Sequence, residues 1–198
     1  FVQGIGDGTL ALEKFQHYMK QDYLFLIEFS KVISLAIAKS KHLDDMGWFA
    51  TLLDETLNTE MALHVSFCQD FDIQEKDLLT TKMSPATHAY TRHLLEIGYS
   101  GSTPEIATAI LPCSWGYSEI GKRLFKKGVP QNNPLYSRWI EMYNSDEFEQ
   151  LALWIRHFID REAKTMSKTN QETLKDIFFT STRYEYNFWN SAYILETW

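Results

Sequence analysis

The chain has 198 residues, the size of one ordinary domain, and its shares of hydrophobic (44%) and charged (23%) residues are typical of a globular protein. Its formal net charge of −7 at neutral pH would repel a phosphate backbone, so we expect no nucleic acid partner. Two cysteines are too few for a disulfide framework, and no stretch reaches the roughly 20 apolar residues of a membrane span. We therefore expect a cytoplasmic protein with reduced thiols and no membrane contact.

The first half of the chain has the pattern of long amphipathic helices. Apolar residues recur at steps of three and four from Leu10 to Lys41, which predicts one bent helix or two. A second helix is expected over about Asp44 to Phe71, and a short polar segment rich in turn residues follows it. These predictions account for two of about seven helices in the whole chain.

Later helices are predicted from their start signals. Ser84-Pro85 places a capping hydroxyl before a proline at the first helical position, and this helix is expected to run to Ile97. The same signal recurs at Thr103-Pro104 and Asn133-Pro134, and Thr169 with Glu172 has the spacing of a capping box.

Glycines are expected to end helices by adopting left-handed backbone angles, at Gly98, Gly101 and Gly128. No alternation typical of β-strands competes with the helical pattern, and no internal repeat is present. The sequence therefore predicts an all-α fold, with residues 1–198 forming a single-domain helical bundle.

The segment from Leu111 to Tyr117 is the most unusual because Pro112 lies inside a predicted helix. Proline there removes a backbone hydrogen bond and bends the helix at a cost of about 3 kcal/mol. Helical spacing places Cys113 and Tyr117 on one face, so a thiol and a phenol can point into the same cavity. On spacing alone, a kinked core helix with a buried, inert cysteine is favoured, since a free cysteine usually behaves as a small hydrophobic residue.

The same segment, with Glu119-Ile120-Gly121 after it, resembles the nucleophile helix of the TenA (thiaminase II) family in its cysteine-containing subclass. Further segments resemble that family in the same order along nearly the whole chain: Gln21-Asp22-Tyr23, Glu60 to His64, Ser84 to Thr91, Trp139 to Tyr143, and Tyr184 to Trp189. The resemblance implies a heme-oxygenase-like helical bundle, usually assembled as a homotetramer. We expect neither a cofactor nor a metal ion.

The resemblance also implies an activity and the residues that perform it. The family hydrolyses 4-amino-5-aminomethyl-2-methylpyrimidine to the hydroxymethyl pyrimidine and ammonia, with thiamine as a slower substrate, in thiamine salvage. By the same resemblance Cys113 is the attacking sulfur, Glu185 the acid/base, and Asp22 the carboxylate that holds the aminopyrimidine edge. The implied substrate-binding side chains are Asp22, Phe25, Tyr90, Tyr117, Tyr143 and Phe188.

The reaction itself requires a nucleophile and a proton donor. A free cysteine has a pKa near 8.5 and attacks only as the thiolate, so some group must take its proton. No histidine accompanies Cys113, and we therefore assign this role to Glu185, which then protonates the departing amine. Burial beside Phe188 and Trp189 would raise the pKa of Glu185 as this role requires. Without the resemblance, an exposed helix residue is the favoured interpretation of Glu185.

Asp22 lies in an otherwise apolar run, where an unpaired charge is expensive. Either an Arg or Lys from another helix neutralises it, or a ligand with paired N–H donors does, and an aminopyrimidine has that pattern. Phe25 stands where the family often has tyrosine, which keeps the ring face and loses a hydroxyl. Phe25 and Phe188 are expected to sandwich the heterocycle, although such residues are more often simply core.

Other functions stay open at this point. Glu60 and His64 have a four-residue spacing suited to a metal, but the candidate partners His157, Asp160 and Glu162 do not repeat that pattern. The pair is more readily explained as structural support for the pocket. His17 is a candidate haem ligand, which gives a metal- or haem-dependent oxidase or oxygenase as an alternative. A non-catalytic pyrimidine-binding regulator is a third possibility.

Overall fold

The computed structural model describes residues 1–71, 73 and 75–198. Within this part of the chain it contains α-helices and one π-helical segment without a β-strand, which confirms the all-α prediction. The helices are α1 (Val2–Gly6), α2 (Leu12–Lys39), α3 (Leu43–Asp54), α4 (Met61–Asp70), α5 (Glu75–Thr80), α6 (Pro85–Ser100), α7 (Thr103–Lys127), α8 (Pro134–Tyr143), α9 (Asp146–Ala163) and α10 (Lys168–Ile194), with the π-helical segment Glu55–Glu60 between α3 and α4.

Helix α2 is a single 28-residue helix, so the first predicted element is one helix rather than two. It buries an apolar face that includes Phe15, Met19, Phe29 and Ile33, and this face packs against α3, α6 and α10. Burial of that stripe is the main source of its stability, because propensity alone gives little to a helix in water. Asp22 is buried within the same face.

The second predicted helix forms over Leu43–Asp70, but it is interrupted by the π-helical segment Glu55–Glu60. A π-turn bonds each residue to the fifth rather than the fourth before it, so one extra residue is inserted and the register of α4 shifts. The polar segment expected after Phe71 contains the short helix α5. Residues 72 and 74 of that segment lie outside the described residues.

Two of the four predicted helix starts are confirmed. The Ser84 side chain accepts a hydrogen bond from the backbone of α6, and the Asn133 side chain accepts one from the backbone of α8. The prediction at Thr103 is wrong by one residue, because Ser102 as the cap places Glu105 where its carboxylate reaches back to the Ser102 N–H, at 2.7 Å.

The predicted start at Thr169 is also wrong. Ser167, two residues earlier, caps α10 by accepting a hydrogen bond from the backbone N–H of Asn170. The carboxylate of Glu172 instead accepts a hydrogen bond from Lys175, at 2.6 Å, so it does not form the predicted capping box with Thr169.

Of the three predicted glycine stops, only Gly128 has the expected positive φ, at 103°, where α7 ends. Gly98 lies inside α6, and a Cβ there would stand 3.0 Å from the side chain of Leu35 on α2. This glycine therefore permits close helix packing. Gly101 does follow α6, but its φ of −83° is one that any residue adopts.

Helix α7 continues through Pro112 and packs against α8, α9 and α10, while α2 and α6 approach it from another side. Helices α2, α6, α7, α8, α9 and α10 thus share one hydrophobic core. No helix in the described part of the chain is long and apolar enough to cross a membrane.

Candidate active site

The half-buried Cys113 and the buried Tyr117 on α7 both line a cavity of about 270 Å³, so the prediction that they share one cavity is confirmed. The π-helical segment also lines this cavity, and its lining residues include Glu60. A cavity of this size is large enough for a small heterocycle. The candidate nucleophile therefore faces a space that a substrate can enter.

A second cavity, of about 240 Å³, also borders Tyr117, but it contains Glu185 rather than Cys113 among its lining residues. Trp115 and Trp189 line it as well, which makes it strongly aromatic. The two candidate catalytic side chains thus belong to different cavities that meet at Tyr117.

Glu185 on α10 is buried, as the role implied by the resemblance requires, and not exposed as its sequence context alone favours. Its Oε1 accepts a hydrogen bond of 2.7 Å from the hydroxyl of Tyr90, whose ring stacks on Tyr184 with a centroid separation of 5.5 Å. Burial raises the pKa of Glu185 to about 8, although the hydrogen bond from Tyr90 works in the opposite direction. At neutral pH this carboxyl therefore carries its proton. It is therefore suited to donate a proton, whereas the expected acceptance of the Cys113 proton requires the ionised form, which is the minority form at this pH.

Asp22 has a partner that neither sequence-based alternative included. Its Oδ2 lies 2.6 Å from Nε2 of His64 on α4, and both side chains are buried. Nδ1 of His64 lies 2.8 Å from the backbone oxygen of Glu60, which can only accept, so Nδ1 carries a hydrogen. The expected Arg or Lys is thus replaced by an imidazole.

The surroundings of His64 favour its charged form. Burial disfavours its charged form, but the hydrogen bond to Asp22 and the charges of Asp22 and Glu60 outweigh burial and raise the pKa of His64. An imidazolium that donates through both nitrogens fixes Asp22 as an oriented carboxylate. The carboxylate assigned to the aminopyrimidine edge is therefore held by the α4 helix.

Glu60 accepts a hydrogen bond of 2.9 Å from the hydroxyl of Tyr143 on α8. Burial raises the pKa of Glu60 to about 7, and the charge of His64 and the hydrogen bond from Tyr143 limit this rise. Glu60 therefore titrates near neutral pH, which is unusual for a glutamate and is typical of functional sites.

The surroundings of Cys113 do not activate its thiol. Burial raises the pKa of Cys113 well above its usual range, and the charges of Glu185, Glu60 and Asp22 raise it further. No cation appears among the groups that shift it. Cys113 therefore holds its proton at neutral pH, and its reaction requires a base close by.

The aromatic side chains predicted for the pocket are brought together, but their arrangement differs from the expected sandwich. The rings of Phe25 and Phe188 are 5.7 Å apart between centroids, and Phe25 lies 5.0 Å from Tyr90. These are the distances of directly packed rings, so no third ring fits between Phe25 and Phe188 in this conformation. Tyr117 and Tyr143 form a second pair at 4.8 Å.

Sequence reasoning identified the side chains that gather here but missed two links between them. Glu60 and His64 were noted for their spacing, yet nothing in the sequence connects His64 to Asp22. Tyr18, one turn before Asp22, was not assigned a role. It accepts a hydrogen bond of 3.3 Å from the Trp139 indole, and burial and the charge of Asp22 raise its pKa well above 10.

The structure gives the metal and haem alternatives no support. His64 is engaged with Asp22 and the backbone of Glu60, and no group of three or more metal-ligating side chains occurs in the described part of the chain. His17, the candidate haem ligand, lines neither of the two cavities.

Comparison with known proteins gives matches over almost the entire chain. The model of the TENA/THI-4/PQQC family matches residues 1–194. A relative from Halalkalibacterium halodurans, named aminopyrimidine aminohydrolase, is 42% identical and aligns with 100% of this chain and 88% of its own. A relative of the same name from Helicobacter pylori is 38% identical, over 98% of this chain and 89% of its own.

Solved structures agree with the fold. A protein described as a TenA family transcription regulator, from Silicibacter sp. TM1040, superimposes with a TM-score of 0.90 at 34% identity and covers 97% of this chain and 87% of its own. A domain of unknown function with a heme oxygenase-like fold, from Shewanella denitrificans, gives a TM-score of 0.76 at 13% identity, over 97% and 82%. The predicted heme-oxygenase-like bundle is therefore confirmed.

Proposed function

Because the chain belongs to the TENA/THI-4/PQQC family, we propose that it is an aminopyrimidine aminohydrolase, a hydrolase of carbon–nitrogen bonds. The observation that carries this proposal is the identity of 42% and 38%, over essentially the whole chain, to two relatives of that name. Its reaction is the hydrolysis of 4-amino-5-aminomethyl-2-methylpyrimidine to the hydroxymethyl pyrimidine and ammonia. Thiamine is a slower substrate, and the pathway is thiamine salvage.

Recognition of the aminopyrimidine is assigned to Asp22. The His64 imidazolium holds Oδ2 of Asp22 at 2.6 Å, so the carboxylate is oriented before the substrate arrives. A carboxylate fixed in this way accepts hydrogen bonds from the N–H groups of the heterocycle. Stacking is assigned to Phe25 and Phe188, which offer ring faces to the substrate after a small movement apart, together with the phenols Tyr90, Tyr117 and Tyr143.

The chemical step is assigned to Cys113 and Glu185. The sulfur of Cys113 attacks the pyrimidine substrate while the carbon–nitrogen bond to the departing amine breaks. Glu185 is the acid, because its buried carboxyl with a pKa of about 8 still carries a proton at neutral pH and gives it to the amine. Water then supplies the hydroxyl of the product and releases the sulfur.

The proposal extends to compartment and assembly. Both cysteines, Cys68 and Cys113, are free thiols, which suits the reducing cytoplasm. A homotetramer is the assembly implied by the family resemblance, and large exposed apolar side chains such as Leu43 (83%) and Trp198 (80%) are available for contacts between chains.

The relative described as a transcription regulator favours a second candidate, a non-catalytic regulator that binds a pyrimidine. The net charge of −7 argues against direct contact of such a regulator with DNA. The two candidates differ in turnover, because a regulator binds the pyrimidine without consuming it.

The test is to incubate the purified protein with the aminomethyl pyrimidine and to quantify ammonia and the hydroxymethyl pyrimidine. We expect equal amounts of both products over many turnovers, and slower turnover of thiamine. Tight binding of the pyrimidine without ammonia release would instead support the regulator and would contradict the hydrolase.

A further inference from the structure

The proposed mechanism leaves the proton of Cys113 without an acceptor. Glu60 lines the same 270 Å³ cavity as Cys113, and the proposed mechanism does not use it. It is the last residue of the π-helical segment, a rare geometry that is found mostly at functional sites. The segment places this carboxyl against the cavity although the neighbouring turns of α3 and α4 are ordinary α-helix.

The other acids of the site are less suited to accept this proton. Glu185 lines the second cavity rather than that of Cys113, and its Oε1 is already held by Tyr90 at 2.7 Å. Asp22 lines neither cavity, and its Oδ2 is already engaged by His64 at 2.6 Å. Three glutamates, Glu55, Glu60 and Glu147, line the cavity of Cys113, and Glu60 is the one among them whose charge acts on the Cys113 thiol.

The titratable groups that interact with Glu60 lie on four helices: Asp22 on α2, His64 on α4, Cys113 on α7 and Tyr143 on α8. Glu55 of the π-helical segment and Glu147 of α9 also line the cavity. Burial raises the pKa of Glu60 to about 7, so a useful fraction is ionised at neutral pH. A base with a pKa near the working pH is the most effective one.

We propose that Glu60 is the general base that accepts the proton of Cys113. This inference rests on the proposed function. In the first half-reaction the S–H bond of Cys113 breaks and the proton forms an O–H bond on Glu60. The sulfur then bonds to the substrate while the C–N bond breaks, and Glu185 gives its proton to the amine, which leaves as ammonia. In the second, water bonds to the substrate and gives one proton to Glu185, while sulfur leaves and recovers its proton from Glu60.

The experiment measures kcat/KM for ammonia release from the aminomethyl pyrimidine between pH 5.5 and 9.5. Glu60→Gln keeps the size of the side chain and the ability to bond Tyr143, but it cannot accept a proton. We expect kcat to fall about 100-fold, the usual size of a general-base contribution, and the rise of kcat/KM near pH 7 to disappear. Glu55→Gln is the matched control, because Glu55 lines the same cavity from the same π-helical segment. It should retain the rise and keep its activity within about threefold of the wild type, because the proposal gives Glu55 no proton to accept.

A second variant covers the case in which Glu60→Gln does not fold. Tyr143→Phe removes the hydrogen bond that stabilises the Glu60 carboxylate, so the rise of kcat/KM should move to higher pH. The proposal is overturned if Glu60→Gln keeps the rise near pH 7, or if Tyr143→Phe leaves it in place. Absence of ammonia with the wild-type protein would overturn the proposed function itself and this inference with it, whereas an active wild type with an unaffected Glu60→Gln overturns the inference alone.

Discussion

The hydrogen bond between Tyr90 and Glu185 gives a prediction about pH dependence. The Tyr90 hydroxyl donates to Oε1 of Glu185 at 2.7 Å, and this bond lowers the pKa of a carboxyl that burial raises to about 8. Asp22, Cys113 and Tyr117 are other titratable groups that interact with it. The variant Tyr90→Phe removes the donor and keeps the ring, so the carboxylate loses stabilisation and the pKa of Glu185 should rise further.

The size of this shift follows from the two forms of the acceptor. A hydrogen bond to a charged acceptor contributes about 1.5 to 3 kcal/mol, and one to a neutral acceptor about 0.5 to 1.5 kcal/mol. The difference of about 1 to 1.5 kcal/mol corresponds to about one pKa unit. Because Glu185 must be protonated to act as the acid, the decline of kcat/KM on the alkaline side should move up by about one pH unit.

The assay is ammonia release from the aminomethyl pyrimidine at a series of pH values for the wild type and Tyr90→Phe. Tyr184→Phe is the matched control, since its ring stacks on Tyr90 but its hydroxyl is not the donor to Glu185. It should leave the alkaline decline unchanged. A decline that stays in place, or moves to lower pH, in Tyr90→Phe would refute the assignment of Glu185 as the acid.

Three further predictions concern stability and binding. Because folding raises the pKa of Glu185 to about 8, its contribution to stability is complete below about pH 4.5 and is lost as the pH rises through 8. In urea unfolding, the decrease in the free energy of unfolding between pH 6 and pH 9 should be smaller for Glu185→Gln than for the wild type by at least about 1.4 kcal/mol. An equal decrease in both proteins would contradict a buried acid. Replacement of His64 by Asn removes the imidazole that holds the Asp22 carboxylate. Calorimetric titration should show that this variant binds the pyrimidine about tenfold or more weakly than the wild type does. Unchanged affinity would refute pre-orientation of that carboxylate. In thermal unfolding, Gly121→Ala should lower Tm, because the added Cβ would lie 2.5 Å from the backbone of α8. Gly116→Ala should maintain or raise Tm, because no atom lies within 4 Å of the added Cβ. Equal effects of the two substitutions would count against the close contact of α7 and α8.

Helix starts show how far local sequence signals determine this fold. Ser84 was predicted correctly because only one hydroxyl precedes the proline at the first position of α6. At Thr103 and Thr169 another serine lies one or two residues earlier, at Ser102 and Ser167, and a short-range pattern does not choose between neighbouring caps. Gly98 was misread as a stop because its true role, close approach to Leu35 of α2, depends on tertiary packing.

The candidate site shows the same division between local and distant information. Cys113 and Tyr117 share a face of one helix, so four-residue spacing is enough to predict that they line one cavity. The contact between Asp22 and His64 joins residues 42 apart, and its register depends on a π-turn that no sequence pattern indicated. Proton affinities were likewise out of reach, because they follow from burial and from neighbours on other helices.

The central claim is that Cys113 is the nucleophile of an aminopyrimidine hydrolase, and matched alanine variants of the two cysteines test it most directly. Cys68 is a suitable control, because it is a buried free thiol that lines neither of the two cavities. In an assay of ammonia release, Cys113→Ala should lose activity by about 1,000-fold or more while remaining folded, and Cys68→Ala should retain most of it. Full activity in Cys113→Ala would contradict the covalent mechanism.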